Sequence, residues 1–294
     1  MKKTKLRKKK KFTVFGIVNA IVLSALALVT AFPLINILAV SLSDSLYADQ
    51  VILFPIKFTW DSYRYLLDQS AFWTAMWVSV KRCIVAVIFR LLLAFFPAYA
   101  LSRPRGTFHG RGIYAWYFFI STIFGGGTVP WYVMIAKVGL IDSFWALILP
   151  GAVAAGDIIL MLNFFKTLPR DFEEAAKMDG ANATQILFDI YIPLSKAVIA
   201  TVTLFTLVGH WNGWFDGMVL MNSPEKLPLQ SYLRSIVITV PKMGASDAFS
   251  EYPTISQKTT NAAQIFVALV PILMVYPFLQ KYFAKGITVG GVKG

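Results

Sequence analysis

The chain has 294 residues, 57% of them hydrophobic and only 15% charged, against roughly 25% charged in soluble domains, which excludes a water-soluble globular domain. The formal charge of +13 is uneven: eight of the 28 basic residues crowd into the opening MKKTKLRKKKK, so it reads as a positive-inside membrane signal rather than a nucleic-acid surface. A single cysteine, Cys83, excludes an intrachain disulfide or cysteine metal cluster, and His109 and His210 have no ligand spacing around them.

Residues 1–11 are expected to be a disordered basic tail held in the cytoplasm. The apolar stretch 12–40 is too long for a signal-peptide core and has no cleavage region after SALA, so it is a first membrane helix. Apolar length marks five more spans, over 72–101, 113–136, 143–165, 193–221 and 261–283, each able to supply the roughly 20 residues that a crossing requires. The predicted fold class is therefore all-α, a polytopic membrane protein with six transmembrane helices.

With the N-terminus inside, the connections 102–112 and 166–192 and the tail 284–294 fall in the cytoplasm. The loop SRPRGTFHGRG carries Arg103, Arg105 and Arg111 and no acid, whereas the outer segment 41–71 sets Lys57 and Arg64 against Asp44, Asp49, Asp61 and Asp68. Basic residues thus gather on the inner side. The second span carries Lys81, Arg82 and Arg90, and the fourth carries Asp157. Charge inside a membrane is costly and serves a pathway or a pair, so Lys81 or Arg82 either faces a pathway, pairs with Asp157, or snorkels outward.

Between the fourth and fifth spans stands DFEEAAKMDGANATQILFDIYIPL, with five of the chain's fifteen acids. Pro169 stops what precedes it. Asp171 is expected as an N-cap with Glu174 completing a capping box, Gly180 as the left-handed C′ residue, and Asn182 with Gln185 as a second capping pair. The segment reads as helix, glycine turn, helix, and Ala175 and Ala176 leave a small flat surface on which a partner could dock. In the fifth span Gly209, Gly213 and Gly217 recur every four residues and would form one close-packing stripe. Trp211, Asn212 and Trp214 project elsewhere on that helix, as interfacial anchors or as a surface for a ligand with apolar faces and hydroxyl edges.

The residues EAAKMDGANATQILFDIYIP resemble the EAA loop of the permeases of binding-protein-dependent ABC importers, with Glu174, Ala175, Ala176, Gly180, Ile190 and Pro193 at the family spacings and Ile192 where leucine is usual. AYALSR, NFFKTLP, HWNGWFDGMVL and the terminal KGITVGGVKG are similar to the maltose-permease-like carbohydrate branch, and FGGGTVPWYVMI to its oligo- and polysaccharide subgroup.

The resemblance implies a transmembrane permease domain over 12–283 whose coupling loop, 167–192, seats on a cytoplasmic ATPase through Glu173, Glu174, Ala175, Ala176, Asp179 and Gly180. It also implies a second permease subunit, a related but different chain, two ATPase subunits and an extracellular solute-binding protein. The setting is a prokaryotic cytoplasmic membrane, with lipid around the spans and both termini inside. ATP and Mg would sit on the ATPase and no cofactor on this chain, which has no G-x-x-x-x-G-K-[ST] phosphate loop. The substrate would be a carbohydrate, an oligosaccharide by branch. Lys81, Arg82, Asp157, Trp211, Asn212 and Trp214 are the pathway candidates, with Lys81 or Arg82 matched to an acidic sugar such as a uronate. The alternative is an ion-driven secondary transporter using Asp157, for which the acidic segment has no purpose.

Overall fold

The computed structural model describes residues 13–104, 106, 108–239 and 254–290, so the expected basic tail lies outside the described residues. In chain order the helices are α1 Val14–Ser41, α2 Asp61–Asp68, α3 Ser70–Ser102, α4 Arg111–Ile123, α5 Thr128–Lys137, α6 Ala155–Phe165 and α7 Asp171–Met178. They continue as α8 Ala183–Gln185, α9 Ile192–Leu194, α10 Lys196–Asn212, α11 Phe215–Leu220, α12 Leu229–Thr239 and α13 Gln257–Gly290. Among the described residues there is no strand, only an isolated bridge between Ser43 and Phe58.

Three unbroken helices are long and apolar enough to be spans: α1, α3 and residues 257–275 of α13. The other three predicted spans are present but broken. Helices α4 and α5 meet at 117°, the short turns over 144–151 meet α6 at 47°, and residues 183–194 meet α10 at 80°. Apolar length could not reveal this, because hydropathy records composition and not direction. The physical causes are local. Phe124 leaves the helical region at ψ 119°, and Gly127 holds φ 79° before α5 begins. Ala154 is extended ahead of α6, and Ser195 interrupts the chain between α9 and α10. The fifth span breaks again at Gly213, which is extended (ψ 113°) between α10 and α11. Gly209, Gly213 and Gly217 therefore do not share one helical stripe, contrary to the expectation from their spacing.

The described chain forms two compact units. The first comprises residues 13–68 and 254–266. Its helix α1 is apolar all round, as a membrane-embedded helix is, and is capped by Thr13, whose hydroxyl accepts from the Gly16 N–H at 3.3 Å. Where α1 ends, Ala39 and Val40 pack with Val51 and Ala262. The Asp61 carboxylate accepts from Thr254 and Thr59, and these two hydrogen bonds hold it below its ordinary range. Lys258 reaches Asp49 at 2.7 Å.

The second unit, residues 69–239 and 267–290, is organised on α3. At 33 residues this helix is about 50 Å long. Ala94 and Ala98 are small enough to let neighbours approach closely, and with Phe95 they pack against Ile158, Met161 and Phe165 of α6, Ile186, Leu187 and Tyr191, and Val198 and Val202 of α10. A second core joins Ile135 of α5 with Ala146, Leu147, Ile148, Leu220 and Met221. Asp142, at φ 58°, fastens this region. Its carboxylate accepts from the N–H groups of Asn222 and Ser223 at 2.9 and 3.0 Å, from Ser223 Oγ at 2.7 Å and from Lys226 Nζ at 2.6 Å. Residues 240–253, between α12 and α13, lie outside the described residues. Helix α13 runs on to Gly290, past the expected end of the sixth span at 283.

Candidate functional site

Two places in the second unit gather the predicted site residues. The first is a cavity of about 1170 Å³ bounded by α3, the start of α5, Leu149 and Pro150, and the α10–α11 break. Arg82 enters it from α3 and is only 3% exposed. Its Nε donates to His210 Nδ1 at 3.1 Å, its Nη1 to the Gly213 carbonyl at 3.2 Å, and its Nη2 pairs with Asp216. A Cβ at position 213 would lie 3.0 Å from Arg82 Nη2, so the guanidinium reaches that carbonyl because residue 213 is glycine.

Arg90, two helical turns further along α3, repeats the arrangement at another break, the one before α6. Its Nε donates to the Gly151 carbonyl at 3.0 Å and its Nη1 to Asp157 at 3.2 Å. Each arginine thus satisfies a carbonyl freed where a span bends, which a backbone at membrane depth requires, and each pairs with a carboxylate beyond the bend. The predicted ion pair of Lys81 or Arg82 with Asp157 does not form: Asp157 is taken by Arg90 and Arg82 by Asp216. Lys81 is exposed on the other side of α3, its ammonium 5.5 Å from the centre of the Trp77 ring four residues back.

Asn212 and Trp214 line the cavity, together with Trp131. Trp211 does not: it is buried, and its Nε1 donates to the Ala268 carbonyl at 3.2 Å. The Trp214 ring carries the Arg234 guanidinium 3.7 Å from its centre. The residues that sequence reasoning missed are His210 and Asp216. Asp216 was visible as a second intramembrane acid in HWNGWFDG, but its partner lies 134 positions away.

The second place is the acidic segment. Asp171 is not its N-cap: Arg170 is already helical, and its carbonyl accepts from the N–H groups of Glu173 and Glu174 at 2.9 and 3.0 Å. The helix therefore starts one residue early, and Asp171 joins Glu173 and Glu174 in a first turn of three acids, where the helix dipole favours negative charge. The other end is as expected. Gly180 holds φ 83°, its N–H meets the Lys177 carbonyl at 3.1 Å, and the Ala181 N–H meets that of Ala176 at 2.9 Å, the paired closure of a Schellman turn. The capping box of Asn182 and Gln185 makes both hydrogen bonds, at 2.8 and 2.9 Å. A π-helical turn over Ile186–Tyr191 and Pro193 in α9 follow.

The two faces of α7 differ. Glu173, 8% exposed, turns inward to Arg103, to Lys177 at 2.6 Å and to the Tyr191 hydroxyl at 3.1 Å, and Ala176 is half-buried against the core. Phe172 (51% exposed), Ala175 and Met178 (87%) face outward, with Glu174, Asp179 and Gly180 also exposed.

Residues 72–289 match the family described as binding-protein-dependent transport system inner membrane component. The chain is 36% identical to Protein LplC of Bacillus subtilis (strain 168), over 96% of this chain and 95% of that one. It is 37% identical to the polygalacturonan/rhamnogalacturonan transport system permease protein YtcP of the same organism, over 91% and 94%. A chain from the crystal structure of a bacterial ABC transporter involved in the import of the acidic polysaccharide alginate superposes with a TM-score of 0.85 at 35% identity, over 92% of this chain and 96% of that one.

Proposed function

The chain belongs to the binding-protein-dependent transport system inner membrane components, and on that premise we propose that it is the permease subunit of an ATP-driven importer of an acidic oligosaccharide, worked by alternating access. The observation that carries the coupling half of this reading is α7. A helix of eight residues is too short to hold itself together, yet this one is closed at Gly180, fastened underneath through Glu173, and turns Phe172, Ala175 and Met178 outward. An apolar strip edged by Glu174 and Asp179 suits a cleft on an ATPase that offers both apolar contacts and a cation. Glu173 fastens the helix instead of touching the partner.

ATP and Mg belong to that ATPase, present as two copies. A second, related permease chain completes the pathway, and an extracellular binding protein delivers the sugar. The protein lies in the cell membrane with both termini in the cytoplasm. In the cavity the Trp131 ring offers a flat face to sugar C–H surfaces, and Asn212 offers an amide to hydroxyls. The names of the relatives favour a polysaccharide-derived substrate, and the alginate importer favours an acidic one. Because Arg82 is already paired with Asp216, it meets a substrate carboxylate only by exchanging one carboxylate for another.

The test is transport by the purified complex in liposomes, with its binding protein and uronate-bearing or neutral oligosaccharides of equal length. ATP-dependent uptake favouring the uronate is expected. Uptake by this chain alone under an ion gradient, without ATP, would overturn the reading.

A further inference from the structure

We infer that Arg103 is the positioning residue that fastens α7 to α3, so that a displacement of the docking helix is delivered to the helix whose arginines hold the bends at Gly151 and Gly213. The inference rests on the reading of α7 as the ATPase docking element. Among the three acids of the first turn of α7, only Glu173 is buried. Its carboxylate collects donors from three elements: Arg103 at the end of α3, Lys177 on α7 itself, and the Tyr191 hydroxyl before α9. Arg103 is the residue at which α3 turns from helix to extended backbone (ψ 157°). Its guanidinium lies 3.8 Å from the centre of the Tyr99 ring and 5.1 Å from that of Tyr191. The two tyrosines meet edge to face at 5.0 Å, and Tyr191 meets Phe165 of α6 in the same way at 5.3 Å.

The clasp is therefore a planar cation between aromatic faces, closed by a carboxylate from the helix that would seat on the ATPase. Arginine suits this position and lysine does not, because only a planar guanidinium stacks on rings while it pairs. Ala176 of α7 and Ala181, just past its closing turn, pack against the core without charge. From Arg103 the same helix continues, through Pro97, to Arg90 and Arg82, about 20 and 31 Å away at the helical rise. Those two hold the bends at Gly151 and Gly213. One continuous helix thus carries a contact with the docking helix at its end and contacts with these two bends along its length.

The experiment uses the whole complex in liposomes and records three quantities: ATPase retained on purification, ATP hydrolysed, and sugar taken up. Glu173→Gln keeps the size of the side chain and its bond from Tyr191, and Arg103→Gln removes the cation. In both, the ATPase should remain bound and active while sugar moved per ATP falls about tenfold, within the ordinary range of coupling energies. The exchange Arg103→Glu with Glu173→Arg should recover part of that loss. Lys177→Ala, which removes the exposed second partner of Glu173, should behave as wild type. Unchanged sugar per ATP in either single variant would overturn the inference. So would loss of the ATPase in step with transport, since the pair would then only shape the docking surface, and so would an exchange no better than the single variants. A wild-type complex without an ATPase would sink the underlying reading first, and the clasp with it.

Discussion

Gly180 is where turn and docking surface can be separated by substitution. It holds φ 83°, and a Cβ built on it meets nothing within 4 Å. Any L-residue there costs about 1–2 kcal/mol for the left-handed backbone, with asparagine at the low end because it tolerates that region. The two hydrogen bonds that the turn closes, to the carbonyls of Lys177 and Ala176, bring about 0.5–1.5 kcal/mol each if they are lost. Gly180→Ala therefore loosens the end of α7 by about 1–2 kcal/mol. Gly180→Trp has the same backbone cost and no clash at its Cβ, but it sets an indole at an exposed position. Transport and ATP hydrolysis by the reconstituted complex should rank Asn nearly as wild type, Ala reduced a few-fold, and Trp reduced at least about tenfold, since a misfit of roughly 1.4 kcal/mol is already a factor of ten. The melting temperature of the chain should change little across the three. Equal impairment in Ala and Trp would mean that only the turn matters, and wild-type transport in Trp would mean that nothing seats there.

Three further outcomes are expected. Gly217→Ala would drive its Cβ onto the Ser231 hydroxyl and within 2.7 Å of Pro228 Cδ, and should cost about 1–3 kcal/mol of stability. Gly209→Ala, with nothing within 4 Å, should be neutral or stabilising by up to about 1 kcal/mol; thermal unfolding in detergent compares the two. Asp216→Asn strands the buried Arg82 charge and should cost about 3 kcal/mol, the low end for a broken buried pair because Asp216 remains 20% exposed. The pair Arg82→Gln with Asp216→Asn should cost less than the single variants summed. Lys226 and Ser223 hold the Asp142 carboxyl well below the usual carboxylate range. A depressed carboxylate stabilises above its unfolded pKa and loses that contribution as pH falls. The melting-temperature gap between wild type and Asp142→Asn should thus be constant above about pH 5 and shrink below about pH 4, and a gap that widens on acidification would contradict the assignment.

The six spans were legible because apolar length survives any bend. The bends were not, although FGGG and the Gly213 in HWNGWFDG announced them, because hydropathy assigns no direction to a helix. Arg82 stood out as a costly intramembrane cation, yet the choice between Asp157 and Asp216 as its partner depended on which helices lie side by side, a tertiary fact. The closing turn of the acidic segment was readable to the residue, since a left-handed glycine and an Asn–Gln capping box are local chemistry. Its start was misplaced by one residue because Asp171 suits the first turn as well as the cap. That Glu173 faces inward while Glu174 faces outward follows from Arg103, which lies seventy residues earlier and is brought there only by the fold.

The central claim, that α7 docks an ATPase, is tested most directly by cross-linking in native membranes. Cys83 is the only cysteine, so a Cys83→Ser background with Met178→Cys places one thiol on the outward face of α7, and Leu46→Cys, also well exposed, serves as the control far along the chain. The account expects Met178→Cys to cross-link to a nucleotide-binding subunit, with a yield that changes on adding ATP, and Leu46→Cys to give no such product. Absence of that product at Met178, in membranes that still import the sugar, would contradict it.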